Sequence, residues 1–283
     1  MSTTFEQALG SLPFLRGVAI QPSLPLRQAV AEARDNQCTH VYVEGSYSAD
    51  GAIAWTEEHF AEATQVLGES GIKPIFHGNY KNPLSQGLEE LRRAAVAYTK
   101  REVEIAKRLD APLIVHGSAI FSHGDPAKVR REAVESFTQS VGEVTEYATE
   151  LGVQIWLENL EYYRDRHPFH TVFSNRDDYA YVLENVPDVN FILDVGHENI
   201  SSGMPVQVFE EFADRIVAMD VNDNSGETDT HSPLGTGAID FDGLLAAIER
   251  TEWRGYLTFE TRGAKVVEGL EFLANKRLSL AGS

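Results

Sequence analysis

The amino-acid sequence predicts an α/β fold, a (β/α)8 TIM barrel that occupies residues 1–283 as a single domain. Short apolar segments rich in β-branched residues alternate with longer amphipathic segments along the whole chain. This alternation is typical of parallel strands joined by right-handed helical crossovers. Eight such units fit a closed barrel of this length. The first predicted strand is not followed by the glycine-rich turn that binds dinucleotides in open sheets.

The predicted strands are the segments in which apolar residues run continuously or alternate with a period of two. They cover residues 17–21, 40–45, 73–78, 112–117, 153–159, 190–195, 216–222 and 255–261. The predicted helices fill the intervals and cover residues 26–36, 57–68, 88–109, 127–151, 176–185, 206–215, 241–252 and 267–280. The helix over 88–109 shows the 3.6-residue period most clearly, and Gly71 and Gly152 are placed as C-cap glycines.

The composition favours a large apolar core and an acidic surface. Hydrophobic residues make up 42% of the chain, and 43 Asp and Glu residues against 24 Lys and Arg give a net charge of -19. Nucleic-acid affinity comes mainly from cationic side chains, so this charge disfavours a nucleic-acid partner, although a local basic groove would override the mean. A highly soluble surface is the simpler interpretation.

The N-terminus and the cysteine content favour a cytoplasmic location. The first residues lack the basic start and apolar run of a signal peptide, and no stretch approaches the roughly 18 apolar residues of a membrane span. The single cysteine, Cys38, can form no intrachain disulfide, as is usual in a reducing compartment. We therefore expect no membrane partner. A homo-oligomer is compatible with the exposed helix faces, but no sequence feature identifies its interface.

Metal-capable side chains collect at the ends of six consecutive predicted strands. In a (β/α)8 barrel, catalytic groups come from these carboxyl ends and from the loops that follow them. Alternation places Thr258 and Glu260 on one face of the last strand, and Ala218 and Asp220 on one face of the strand before it. The candidate ligands are His77, His116, Glu158, Asp194, His197, Asp220, Asp229, His231 and Glu260.

Several buried carboxylates at one barrel mouth would repel each other without a cation. A divalent metal removes this repulsion, and mixed His and carboxylate ligands suit zinc, manganese, iron or cobalt better than calcium. A lone strand-end His is more often a hydrogen-bonded structural residue, and we assign such roles to His40, His59 and His123. Six strands ending in this way favour a metal site.

Short motifs follow one another in a distinctive order from the third predicted strand onward. They are His77-Gly78-Asn79-Tyr80, His116-Gly117-Ser118, Leu157-Glu158-Asn159, Leu193-Asp194-Val195-Gly196-His197, Asp223-Asn224, the loop over residues 229–237, and Glu260. Each motif alone is weak. In this order they resemble the xylose-isomerase-like TIM barrels, a family that contains sugar isomerases and epimerases and also the endonuclease IV type of apurinic endonuclease.

The resemblance implies a metal centre whose size differs between the two branches of the family. In the isomerase branch one divalent ion, often manganese, is held at positions that correspond here to Glu158, Asp194, Asp220 and Glu260. The endonuclease branch adds ligands to build a three-zinc cluster, and its additional positions match His77, His116, His197, Asp229 and His231. Both branches ordinarily have His at the position of Asp220, and an anionic oxygen donor there should favour manganese or magnesium. We expect Mn, Zn or Mg, with one to three ions per chain.

The segment over residues 159–170 distinguishes the two branches. The endonuclease branch has a small, glycine-rich loop after its strand-five Glu, whereas this segment is bulky and aromatic. Such a segment closes more readily over a small ligand, with Arg164, Arg166 or His170 available for a phosphate or hydroxyl group. An equally weighted alternative is a surface loop with solvated arginines. The segment and the acidic charge together favour a small carbohydrate substrate over DNA.

The leading hypothesis is a divalent-metal-dependent sugar or sugar-phosphate isomerase or epimerase that works through an enediolate. Glu158 and Glu260 would remove and return a carbon-bound proton, and His197 would position substrate or water. Asp229 and His231 would bind a second metal or orient the ligands of the first. The alternatives are a metal-dependent endonuclease acting on abasic DNA and a non-catalytic sugar-binding barrel, which the retention of both glutamates disfavours.

Overall fold

A closed barrel of parallel strands forms the centre of the protein in a computed structural model, which describes residues 10, 12–19, 26–45, 55–166, 169–262 and 265–281. The strands are β1 (Leu15–Val18), β2 (His40–Glu44), β3 (Lys73–His77), β4 (Leu113–His116), β5 (Ser118–Phe121), β6 (Ile155–Glu158), β7 (Phe169–Val172), β8 (Asn190–Asp194), β9 (Ile216–Val221) and β10 (Tyr256–Phe259). The barrel order is β1-β10-β9-β8-β6-β4-β3-β2, and β1 pairs with both β2 and β10. The predicted (β/α)8 barrel is confirmed.

Helices connect the barrel strands and cover the outside of the barrel. They are α1 (Leu26–Asp35), α2 (Glu57–Ser70), α3 (Glu89–Leu109), α4 (Pro126–Leu151), α5 (Arg176–Asn185), α6 (Val195–Ser201), α7 (Pro205–Phe212), α8 (Phe241–Arg250) and α9 (Val266–Ala281). Gly71 and Gly152 end α2 and α4 with φ of 71°, the left-handed conformation predicted for them as C-caps. No helix in the described ranges is both long and apolar enough to cross a membrane.

The structure corrects the sequence prediction in two places. No strand was expected within the segment over residues 159–170, but β7 begins at Phe169 and pairs antiparallel with β5, so the two strands form a separate two-stranded sheet. The prediction missed this pair because both strands have only four residues and lie far apart in the chain. The short helix α6 was also missed; it begins directly at the end of β8, where Asp194 caps it. The predicted end of the first strand, residues 20 and 21, lies outside the described residues.

The interior of the barrel consists of two layers of side chains. An apolar layer is formed by Tyr42, Ile75, Ile114, Trp156, Ile192 and Ala218. The next inward-facing residue of β3, β4, β6, β8 and β9 is polar, because side chains two positions apart point to the same face of a strand. The residues that alternate with these inward-facing ones, such as Leu113 and Val115 of β4, face outward into the core beneath the helices. The fold therefore supports a polar layer at the carboxyl ends of the strands.

Candidate metal centre

Six candidate ligands face inward in the polar layer, and together we call them the upper layer: His77, His116, Glu158, Asp194, Asp220 and Glu260. His77, His116, Glu158 and Asp194 are the last residues of β3, β4, β6 and β8, respectively. Asp220 is the next-to-last residue of β9, and Glu260 directly follows β10. Five of them are almost completely buried, while the Glu260 side chain is 20% exposed. Each lies two residues beyond an inward-facing residue of the barrel strands, so the alternation of the strand places it in the barrel mouth.

All nine predicted ligands fall into overlapping groups whose ligand atoms lie within 4.8 Å of one another. The first group is His77, His116 and Glu158; the second is Glu158, Asp194, Asp220 and Glu260; the third is His197, Asp229 and His231. His197 also forms a group with Glu158 and Asp194. The structure thus brings together every residue that the sequence placed in the metal site, and Glu158 links the groups. Their role as ligands remains a prediction.

Glu158 lies beside a pair of histidines. Its Oε2 atom is 3.3 Å from Nε2 of His116 and 3.8 Å from Nε2 of His77, and the two Nε2 atoms are 3.1 Å apart. On the far side of its ring, Nδ1 of His77 contacts the carboxylate of Glu44 at 3.1 Å. A carboxylate behind a ligating His fixes its tautomer and ring orientation. Sequence analysis missed Glu44, although it follows the inward-facing Tyr42 by two residues.

The backbone and two asparagines fix the position of Asp194. Its Oδ1 atom accepts a hydrogen bond from the His197 amide at 2.8 Å, and Nδ2 of Asn222 lies 3.1 Å from its Oδ2. The Asn159 side chain accepts from the Asp194 amide at 2.8 Å. Gly196 is required here, because a Cβ atom at this position would lie 1.9 Å from Oδ1 of Asn222. The Leu193-Asp194-Val195-Gly196-His197 motif therefore has a packing reason as well as a chemical one.

Asp220 is held by a tyrosine that the sequence analysis missed. The hydroxyl of Tyr42 donates to Oδ1 of Asp220 at 2.5 Å, and both side chains are fully buried. The Tyr42 ring also stacks on His77, with ring centres 5.5 Å apart. The other carboxylate oxygen of Asp220, Oδ2, is buried and accepts no hydrogen bond from the residues that the structure describes. One oxygen is thus oriented by Tyr42, and the other is available to a ligand.

The third group combines Asp229 and His231, from the long loop after β9, with His197 of α6. Oδ2 of Asp229 is 2.8 Å from Nε2 of His231 and 3.8 Å from Nε2 of His197. The Nδ1 atoms of these two histidines contact the backbone carbonyls of Glu260 and Asn159 at 2.7 and 2.8 Å, so both Nε2 atoms face Asp229. Asp223 fixes the loop itself, since its carboxylate accepts from the Gly235 and Gly237 amides.

The electrostatics of the upper layer favour a bound cation. Burial raises the pKa of Asp220 well above its ordinary value, and the charges of Glu158, Glu260 and Asp194 raise it further. Burial and neighbouring carboxylates also raise the pKa of Glu260 to about 7, although His231 opposes this. For Glu158, burial is outweighed by His116, His77 and His197, which lower its pKa to about 2. Oxygen and nitrogen donors arranged in this way fit zinc, manganese or magnesium.

A cavity of about 680 Å³ opens above these groups. Its floor includes His116, Glu158, His197 and Glu260, and its walls include Tyr80, Leu160, Phe169 and Thr171. Arg164 and Arg166 are exposed and do not line it, and Arg166 instead lies over the Tyr163 ring at 3.5 Å. His170 is buried, because the alternation of β7 turns Phe169 and Thr171 toward the cavity and His170 away. Lys81 and Arg262, which sequence analysis missed, do line the cavity.

The three histidines that were assigned structural roles lie outside the ligand groups. His40 is buried below the upper layer, with Nε2 3.1 Å from the Thr258 hydroxyl. Nδ1 of His59 accepts from the Thr56 amide at 3.2 Å in the capping box of α2. His123 packs edge-on against Phe121 in the loop after β5.

The chain belongs to the xylose isomerase-like TIM barrel family, whose sequence profile matches residues 30–276. Among its relatives is the uncharacterised protein MJ1614 of Methanocaldococcus jannaschii, 28% identical over 59% of this chain and 62% of that protein. A ketose 3-epimerase of Arthrobacter globiformis is 27% identical over 78% of this chain and 71% of its own length. A fructoselysine 3-epimerase of Shigella flexneri is 24% identical, over 67% and 66% respectively.

Solved structures share the same fold over nearly the whole chain. A D-tagatose 3-epimerase-like protein superposes with a TM-score of 0.80 at 16% identity, covering 95% of this chain and 98% of its own. The TTHB071 protein of Thermus thermophilus, from crystals soaked with ZnCl2, has a TM-score of 0.71 at 20% identity and covers 93% of this chain and 98% of its own. At such low identities the agreement is one of fold.

Proposed function

We propose that this protein is a divalent-metal-dependent sugar isomerase or epimerase, which moves a proton on a carbon next to a carbonyl through an enediolate. The observation that carries the proposal is the group of Glu158, Asp194, Asp220 and Glu260 at the floor of the cavity. Four carboxylates in such close contact are stable only when a cation or protons neutralise them. Two of the four, Glu158 and Glu260, line the cavity itself.

These two glutamates are placed to act on one substrate from different sides of the barrel mouth. Glu158 ends β6 and Glu260 follows β10, with β8 and β9 between those strands in the barrel. One carboxylate removes the carbon-bound proton and the other returns a proton, which typically contributes about 10²- to 10⁴-fold to the rate. When bound by the four carboxylates, the metal would supply Lewis acidity toward the substrate carbonyl. His197 presents Nε2 toward the cavity and positions substrate or water.

The names of the relatives support the substrate class. Proteins named as ketose, fructoselysine and L-ribulose 3-epimerases are among them, and so is a 3-dehydro-D-guloside 4-epimerase. All four names describe inversion at one carbon of a carbohydrate. For a phosphorylated sugar, Lys81 and Arg262 are better placed than Arg164 and Arg166 to bind the phosphate, because they line the cavity.

A second candidate function, hydrolysis of abasic DNA, is favoured by one specific observation. The His77–His116 pair and the group of His197, Asp229 and His231 add ligands beyond those that a single ion needs. Such a set suits a multi-metal phosphodiesterase. The net charge of -19 opposes this function, because DNA affinity depends on cationic contacts. The two-stranded sheet of β5 and β7 contributes Phe169 and Thr171 to one wall, as expected of a pocket for a small ligand.

The deciding experiment offers the metal-loaded protein a panel of ketoses and ketose phosphates in deuterated water and, separately, abasic duplex DNA at low salt. We expect deuterium to enter a carbon-bound position of at least one sugar. Glu260→Gln, which keeps the shape of the side chain but removes the base, should abolish the uptake. Glu132→Gln, a change at an exposed residue of α4, is the matched control and should leave uptake unchanged. Metal-dependent cleavage of DNA without deuterium uptake from any sugar would refute the proposal.

A further inference from the structure

The cavity above the candidate metal centre has a polar floor and an outer part with apolar side chains. Glu158, Glu260 and histidines of the ligand groups line its floor. Tyr80, Pro83, Leu160 and Phe169 line the outer part, which Lys81, Asn82 and Arg262 also border. Its volume of about 680 Å³ lies in the middle of the range of about 300–1,000 Å³ that is typical of pockets for drug-sized ligands. A single monosaccharide at the floor would therefore leave the outer part to solvent.

Two aromatic side chains of the outer part are exposed. Tyr80 is 48% exposed and Phe169 is 43% exposed, although both border a cavity whose floor is buried. An aromatic ring that remains in water gains free energy when a ligand covers it, and amphipathic aromatic walls commonly hold the apolar part of a ligand. Proton transfer at the floor of the cavity does not require these exposed rings.

The two rings belong to separate segments of the chain. Phe169 begins β7, which pairs with β5 through four residue pairs, and the β7 backbone is further joined to α4 by the Arg130 guanidinium, which donates to the Thr171 carbonyl at 2.8 Å. Tyr80 lies in the loop after β3, where its ring approaches the His116 ring at 6.1 Å. The Tyr80 ring thus lies next to a candidate ligand, and two different segments of the chain contribute aromatic rings to the cavity.

We propose that the natural substrate is a sugar that carries an apolar substituent, with the sugar at the carboxylate floor and the substituent against Tyr80 and Phe169. This inference rests on the proposed function and specifies its substrate class. The substituent gains contact area with the two rings, while the reacting carbons remain beside Glu158 and Glu260. Binding energy from such a remote group raises kcat/KM when it holds the reacting carbons in place.

The test compares a ketohexose with derivatives that bear a benzyl group at either end of the carbon chain, each followed by deuterium uptake with the metal-loaded protein. We expect kcat/KM for one benzyl derivative to exceed that of the free sugar by tenfold or more. Phe169→Ala and Tyr80→Ala should each reduce this preference at least fivefold. Tyr181→Ala removes an aromatic ring that is 42% exposed on α5, outside the cavity lining, and should leave the preference unchanged.

The use of two aromatic variants distinguishes the loss of a ligand contact from a defect in folding. Phe169→Ala removes the cross-strand neighbour of Phe121 and would weaken the pairing of β5 with β7, whereas Tyr80→Ala changes a separate loop. Equal kcat/KM for free and benzylated sugars, or a preference that survives both variants, would overturn the inference while leaving the proposed function intact. Absence of deuterium uptake from every sugar, free or substituted, would instead overturn the proposed function and this inference with it.

Discussion

Two layers of side chains inside the same barrel differ completely in character, although they are only two residues apart on each strand. In the lower layer, Ile114, Trp156 and Ile192 pack against one another as a closed apolar core. Directly above them, His116, Glu158 and Asp194 form the polar upper layer. The lower layer closes the bottom of the cavity and positions the strand ends, and the upper layer carries the chemistry.

The contrast shows how a barrel separates stability from function. Apolar side chains in the lower layer gain free energy from burial. The carboxylates of the upper layer are buried to a similar degree but accumulate charge, which disfavours the metal-free folded state. Variants in the lower layer should therefore affect folding, and variants in the upper layer should affect metal and substrate.

The largest effect is expected for Glu158→Gln in the upper layer. Glu158 belongs to three of the ligand groups, so loss of its charge should weaken metal binding and reduce deuterium uptake by about 10³-fold or more. The metal-free variant should melt lower than the metal-free native protein, because the charged carboxylate lies among His116, His77 and His197, which lower its pKa to about 2. Metal content, exchange rate and thermal melting are measured on both proteins. Full activity in the variant would exclude Glu158 from the centre.

The matching change in the lower layer is Ile192→Ala, two residues below Asp194. It leaves a cavity in a fully buried position and should reduce the free energy of unfolding by about 2–5 kcal/mol, as measured by urea denaturation. Metal stoichiometry should stay the same, because no ligand is changed. If this variant lost metal as readily as Glu158→Gln, the two layers would not be functionally separate.

A smaller effect is expected for Tyr42→Phe. Tyr42 lies in the lower layer, but its hydroxyl contacts Asp220 in the upper layer. The substitution removes the hydroxyl that donates to Asp220, and loss of such a supporting hydrogen bond typically weakens metal binding by about 10- to 100-fold. Competition with a chelator measures this change. Tyr179→Phe is the control, since Tyr179 is equally buried and donates to Glu198, which belongs to none of the ligand groups. Equal metal affinities in both variants would show that Tyr42 does not orient a ligand.

The smallest change concerns metal preference. Asp220→His restores the nitrogen donor that we expect at this position from the family resemblance, and it should shift the preference from manganese or magnesium toward zinc by about tenfold without unfolding the barrel. Competition between the metals for the native protein and the variant gives the ratio. An unchanged ratio would mean that Asp220 does not ligate.

The sequence was sufficient to predict the barrel and to expect the nine candidate ligands at one end of it, because six consecutive predicted strands end in, or are followed by, His, Asp or Glu. Their role as ligands remains a prediction. Tyr42 was missed because its partner, Asp220, is 178 residues away and its own strand appears uniformly apolar. The two-stranded sheet was missed for a similar reason, since the pairing of β5 with β7 is long-range and each strand is short. Without β7, the alternation that faces Phe169 into the cavity and His170 away could not be predicted.

The most direct test of this account is a measurement of metal bound per chain. The native protein is loaded with Mn²⁺ or Zn²⁺, desalted, analysed for metal, and then melted with and without a chelator. We expect at least one equivalent per chain and a melting temperature that falls by about 5–10 °C on chelation, because a ligand at 100 times its Kd stabilises the fold by about 2.7 kcal/mol. Absence of retained metal, together with identical melting of the two samples, would contradict a metal centre in the upper layer.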